Sequence, residues 1–196
     1  MKRVIVTIST LIALILPLTA SASTWTVDPD HSNVGFKVKH LMVSNVKGSF
    51  DKFTATVDLN DKDITKSKVE VSIDSSSINT NVQKRDDHLR NADFFDVAKF
   101  PAITFVSKKI VKAGTDKLKV TGDLTMHGIT REVVLDVEGP TKESKDPWGN
   151  IRKGAVATTK INRKDFGLAW NKTLETGGVA VGEEIAITLE IEMIKK

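Results

Sequence analysis

The 196-residue sequence contains no cysteine and no tyrosine, and aromatic residues make up only 6% of it. The missing cysteine excludes disulfides, thiolate nucleophiles and cysteine-based metal sites. It also excludes acylation of the lipoprotein type. Stability must come from core burial. There is no GxSxG elbow and no glycine-rich phosphate loop. No basic block stands out; 29 Lys and Arg are interspersed with 25 Asp and Glu. That pattern argues against a nucleic-acid partner.

What is present begins with a leader pattern. Met1-Lys2-Arg3 is basic, Val4 to Leu18 is largely apolar, and Ala20-Ser21-Ala22 is a small-residue cleavage motif. The apolar run is short and ends in small residues, which describes a secretory signal peptide rather than a spanning helix. Cleavage is expected after Ala22, leaving 23–196 as a single domain with no stable membrane anchor. A periplasmic location follows as the expectation. Losing Lys2 and Arg3 leaves 27 basic against 25 acidic residues, a net of about +2.

Beyond the leader, alternation with period two dominates. In the stretch NVGFKVKH, Val34, Phe36, Val38 and His40 share one face, and Gly35, Lys37 and Lys39 the other. Phe53, Ala55, Val57 and Leu59 form a second stripe, and Val69, Val71 and Ile73 a third. Ile103 and Phe105 follow Pro101. Further stripes run from Leu118 to Leu124, from Arg131 to Val137 and from Ile185 to Met193. Turn signals separate them, among them His127-Gly128, Gly139-Pro140 and Trp148-Gly149-Asn150. The spacing predicts an all-β chain: an antiparallel sandwich or closed barrel of about eight strands. Only residues 81–99 read as helical, as one or two short helices across a barrel end or along its wall. Val82, Leu89 and Arg85 share one helical face there.

A barrel of this size either fills its interior with side chains or holds one ligand. Few aromatics and many Val, Ile and Ala at inward positions favour room inside. The polar candidates are few. His31, His40, His88 and His127 show no i,i+2 or i,i+4 spacing, so no metal site and no cofactor are expected. Asp86, Asp87 and His88 could form an acid/base pair, but as helix neighbours they point different ways. Arg85 and Arg90 flank Leu89 and could meet an anionic head group at a cavity mouth, or pair locally with aspartates. Asn162-Arg163-Lys164-Asp165 reads as a turn with local ion pairs. Phe94, Phe95 and Phe105 read as core or cavity lining.

Taken together, several segments in order resemble the YceI-like polyisoprenoid-binding family. They are Trp25-Thr26-Val27-Asp28 with His31-Ser32, Val34 through Leu41, Gly48-Ser49-Phe50, and Arg85-Asp86-Asp87-His88-Leu89. Asp93 through Val97, Phe100-Pro101, Ile103-Thr104-Phe105, Gly122 through Gly128, and Asn162 through Gly167 complete the set. The resemblance covers essentially the whole mature chain. It implies a lipocalin-like antiparallel barrel with an elongated apolar pocket for a long isoprenoid or similar amphiphilic lipid. It also implies a periplasmic or secreted protein tied to stress responses, without enzymatic activity or a metal. On that basis Val34, Phe36 and Val38 are expected to line the barrel, with Phe94, Phe95 and Phe105. His40, Arg85 and His88 are expected to meet the head group. The competing expectations are an enzyme acting on a lipid or quinone-like substrate with His40 or His88 as base, and a filled structural β-sandwich. A homodimer through sheet edges is a further option, one that barrel closure would remove.

Overall fold

The computed structural model describes residues 22–175 and 177–196. The signal-peptide expectation falls on residues 1–21, outside that range. Twelve strands and one α-helix are present among the described residues. The strands are β1 (Ala22–Val27), β2 (Asn33–His40), β3 (Ser44–Phe50), β4 (Phe53–Asn60), β5 (Lys68–Asp74) and β6 (Ile78–Asn79). They continue as β7 (Ala102–Gly114), β8 (Lys117–Met126), β9 (Ile129–Glu138), β10 (Ser144–Lys145), β11 (Ile151–Asn162) and β12 (Val181–Lys195). The helix, α1, spans Gln83–Arg90.

Eight strands close a ring in the order β11-β9-β8-β7-β5-β4-β1-β12, and β12 returns to β11. Every ladder in the ring is antiparallel. The closing ladder is long, running from Asn162↔Glu184 to Arg152↔Ile194. Closure satisfies the edge groups that an open sheet would expose.

Strand β12 serves two partners along its other edge. Its first part pairs with β2 and its end, Met193 to Lys195, with β1. The switch is made by a short 3-10 turn, Pro29–His31, between β1 and β2. Asp28 caps that turn through its Oδ1, which accepts from the Asp30 N–H at 3.1 Å. Pro29 suits the first turn position because its missing N–H would have no partner there. Asp28 N–H and Ser32 Oγ then tie the turn to the Glu192 backbone. Strands β3 and β6 extend the sheet from β2.

The helical expectation over 81–99 resolves to one helix, α1, followed by turns to Phe100. Val82, expected on the apolar helical face, instead sits exposed at the N-cap, while Leu89 faces inward. Strand β11 carries no strong alternation in sequence. Its inward positions are Ala155, Ala157, Thr159 and Ile161, the first three small or polar enough to hide the period.

Candidate functional site: an apolar barrel cavity

The ring encloses a cavity of about 280 Å³ rather than a filled core. Its lining extends along β12 from Val181 to Met193, twelve residues apart. At about 3.3 Å per residue that is roughly 40 Å of strand. The alternating stripes read from sequence supply the wall: Ala55, Val57 and Leu59; Val69, Val71 and Ile73; Ile185 through Met193 at every second residue.

Among the described residues, only three of those lining the cavity carry polar side chains: Ser67, Thr159 and Arg163. Each is occupied by backbone. Ser67 Oγ accepts from the Asn60 N–H at 2.9 Å, and Thr159 Oγ1 donates to the Val134 carbonyl at 2.8 Å. Arg163 Nε donates to the Gly182 carbonyl at 2.9 Å, and its two Nη groups reach the carbonyls of Leu168 and Val181. The interior therefore offers hydrocarbon and almost nothing else.

Two glycines shape the wall. Gly48 lies directly across from Phe36 in the β2–β3 ladder. A Cβ on Gly48 would fall 2.5 Å from Phe36 Cζ, so the ring lies flat over the glycine. Phe105 lies over Gly122 in the same way, at 2.4 Å from a would-be Cβ. Both rings hug the wall instead of plugging the lumen.

Six of the nine expected ligand residues lie on this wall: Val34, Phe36, Val38, Phe94, Phe95 and Phe105. The other three do not. His40 ends β2 opposite Ser44 and Val181, half-buried, one alternation step beyond Val38. Arg85 turns to Thr80, donating from Nε to Oγ1 at 2.7 Å and from Nη2 to the carbonyl at 2.9 Å. Thr80 also bonds buried Asp86 through its N–H and its hydroxyl. His88 Nε2 lies 2.9 Å from Asp93 Oδ2, with its ring edge-on to Phe94 and Trp170. Arg90 holds the carbonyls of Ser76 and Ile78. These side chains pin α1 against β6 and leave Leu89 facing the cavity. Asp86, Asp87 and His88 each engage a different partner, so they form no acid/base pair.

Arg163 is the charged residue of the lining, whereas sequence reading places it in a turn with local ion pairs. It is 2% exposed and bonds backbone carbonyls of Leu168 and the start of β12, not the local carboxylates expected of a turn. Burial holds its guanidinium below the usual arginine range, with Glu183 opposing that effect. The opposite end of the barrel is filled by Trp25, fully buried against Val57, Leu59 and Met193. Its indole N–H donates to Ser23 Oγ at 2.9 Å, and the Lys153 and Lys195 ammonium groups sit 5.4 and 5.5 Å from the ring.

Comparison with known proteins fits this geometry. The model of the YceI-like domain matches residues 25–193. The chain belongs to the YceI-like family. A UPF0312 protein of Vibrio parahaemolyticus is 40% identical over 168 residues, covering 85% of this chain and 88% of that protein. Among solved structures, the YCEI protein of Campylobacter jejuni superposes with a TM-score of 0.68 at 37% identity, covering 86% of this chain and 96% of that one. A polyisoprenoid binding domain from Saccharophagus degradans shares the fold, with a TM-score of 0.63 at 14% identity over 88% of this chain and 98% of that one.

In this YceI-like chain, three of the segments that carry the resemblance build the barrel ends and fasten α1 as well as contributing lining. Trp25 and Asp28 lie at one end, Arg163 at the other, and Arg85 and Asp86 fasten the helix. Asp28, His31 and Glu192 bring three potential ligand atoms within 4.8 Å of one another. A guanidinium already sits among them: Arg152 Nη1 lies 2.6 Å from both Asp28 Oδ2 and Glu192 Oε1, while its Nε lies 2.7 Å from Asp146 Oδ2. The cluster reads as an arginine-centred clasp between β1, β11 and β12.

The clasp makes an acid-sensitivity prediction. Arg152 is the main cause holding Asp28 below its ordinary range of about 3.8. For Asp146 burial works the other way, but hydrogen bonds from Arg152 and Asn150 outweigh it and the group is also lowered. A carboxyl whose folded pKa is depressed stabilises the fold above its unfolded value and loses that contribution as pH falls through the folded one. The melting midpoint is expected to drop as pH falls below about 4. Arg152→Gln should melt lower than wild type at neutral pH and show a shallower acid decline. Asp63 and Asp74, lowered chiefly by the hydroxyls of Thr65 and Ser76, keep their share in the variant. Parallel acid profiles for the two proteins would rule the clasp out as the cause.

Proposed function

We propose that this chain is an exported, periplasmic binding protein for a long-chain isoprenoid or similar amphiphilic lipid, held with its tail in the barrel. The observation that carries the reading is the continuous apolar lumen whose polar side chains are all occupied by backbone. Such a lumen rewards hydrocarbon and offers a polar group no partner, which favours a binding mode with the lipid head at a barrel end. Burying roughly 400 Å² of tail contributes on the order of 10 kcal/mol before the ordering of ligand and protein is subtracted. Micromolar or tighter binding is within reach of that difference. The shared fold with a polyisoprenoid binding domain supports the same ligand class. The proposed activity is carriage or storage, with stress response as its setting.

Native mass spectrometry of protein purified from its host tests this directly. A bound species with an isoprenoid or lipid mass is expected, and delipidated protein should take up a polyprenyl alcohol. Protein that carries no lipid and takes up none would sink the reading.

A further inference from the structure

The β2–β3 hairpin combines two surface features that folding alone does not require. Its connection, Leu41-Met42-Val43, is apolar and open to solvent, at 40, 53 and 78% exposure. Leu41 and Met42 hold φ values of 48° and 61°, the left-handed region where glycine or asparagine would be at ease. Large apolar side chains thus occupy a turn that disfavours them and project into water.

Below this tip the outer face of the hairpin is basic. Lys37 and Lys47 lie directly opposite each other, an arrangement of like charges that weakens a ladder. Lys39 follows towards the tip. Among the described residues no carboxylate lies within 4.0 Å of any of the three. Exposed Lys172 joins them: its carbonyl accepts from the Ala180 N–H, and the Ala180 carbonyl accepts from the Leu41 N–H. Glu183 and Glu184 nearby are engaged by Lys164 and Lys160, which leaves Glu175 as the acidic residue of the adjoining loop.

We infer that this hairpin tip docks the protein onto an anionic lipid bilayer. Leu41, Met42 and Val43 enter the head-group region, and the lysines behind them attract acidic head groups, as basic and apolar residues do together in interfacial binding. A second copy of the chain fits the surface poorly, because a symmetric contact would set this lysine face against itself. The bilayer supplies both the apolar depth and the opposite charge. The tip adjoins Val38 and Val181 on the cavity wall, so docking sets that end of the barrel at the membrane.

The test is co-sedimentation with vesicles of phosphatidylglycerol in phosphatidylcholine at low ionic strength, alongside pure phosphatidylcholine. Wild type should bind the mixed vesicles, release them as salt rises, and bind the neutral ones far less. Met42→Asp with Val43→Asp should weaken binding by about tenfold or more. Val43→Asp alone repeats the test without touching the left-handed Met42. Lys37→Glu with Lys47→Glu should remove the preference for anionic vesicles. Trp148→Asp, which removes an 80% exposed apolar residue from the far end of β11, should bind as wild type. Unchanged thermal midpoints establish that the variants are folded. The inference is overturned if wild type ignores anionic vesicles, if the tip variants bind equally well, if Trp148→Asp loses binding to the same degree, or if the tip proves to hold a dimer in sedimentation equilibrium.

Discussion

Phe36→Glu is expected to abolish uptake of a polyprenyl ligand, with affinity falling by about a hundredfold or more. Phe36 stands on the cavity wall, over Gly48 and 5.9 Å from the ring of Phe50. A carboxylate there meets no free donor, because Ser67, Thr159 and Arg163 are already committed to backbone partners. With ligand bound it loses water as well, and an unpaired charge in apolar surroundings costs several kcal/mol. Ala157→Phe is the uncharged companion: it adds volume to the lumen from β11 and should also reduce uptake, with the loss greatest for the longest chains. Equilibrium uptake of a labelled polyprenol measures both. Uptake by Phe36→Glu equal to wild type would show that the β2 face is not the ligand wall.

The second large effect is on stability. Trp25→Ala should destabilise the fold by about 3–5 kcal/mol, the range for deleting a large buried aromatic. The indole is fully buried, fills the barrel end beside Val57, Leu59 and Met193, and satisfies Ser23 through its N–H. Trp25→Phe restores most of the volume but not that hydrogen bond, and should fall between the two. Denaturant midpoints at constant slope would measure the series. A loss below about 1 kcal/mol for the alanine variant would mean that this end of the barrel repacks without the indole.

The contrast between these two residues shows what sequence can carry. Alternation placed Phe36 and its neighbours on one strand face, and the apolar stripes read on β4, β5 and β12 turned out to be cavity wall. Periodicity names a face but not where the enclosed space ends, so His40 shares the parity of Val38 yet lies beyond the lining. Strand β11 escaped because its inward Ala155, Ala157 and Thr159 hardly differ in hydropathy from their neighbours. The polar fastenings were less legible still. Arg152 meets Asp28 across 124 positions, and Arg163 finds its acceptors on β12; both pairings exist only once the ring has closed. Arg85 and His88 were visible as chemistry-bearing residues, but their partners, Thr80 and Asp93, depend on how α1 and its following turns settle.

Gly48 and Gly122 help set the bore of the barrel. Each sits where a side chain would otherwise stand, and each lets a phenylalanine ring fold back against the sheet. At Gly48 the close neighbours are all side-chain atoms, of Phe36 and Thr80, whereas at Gly122 the Val106 carbonyl stands in the way. A methyl group at position 48 would tip the Phe36 ring towards the axis and narrow the passage, while the same change at 122 would press on the sheet itself. The width of the lumen beside Phe36 is therefore set at a position that contributes no side chain of its own.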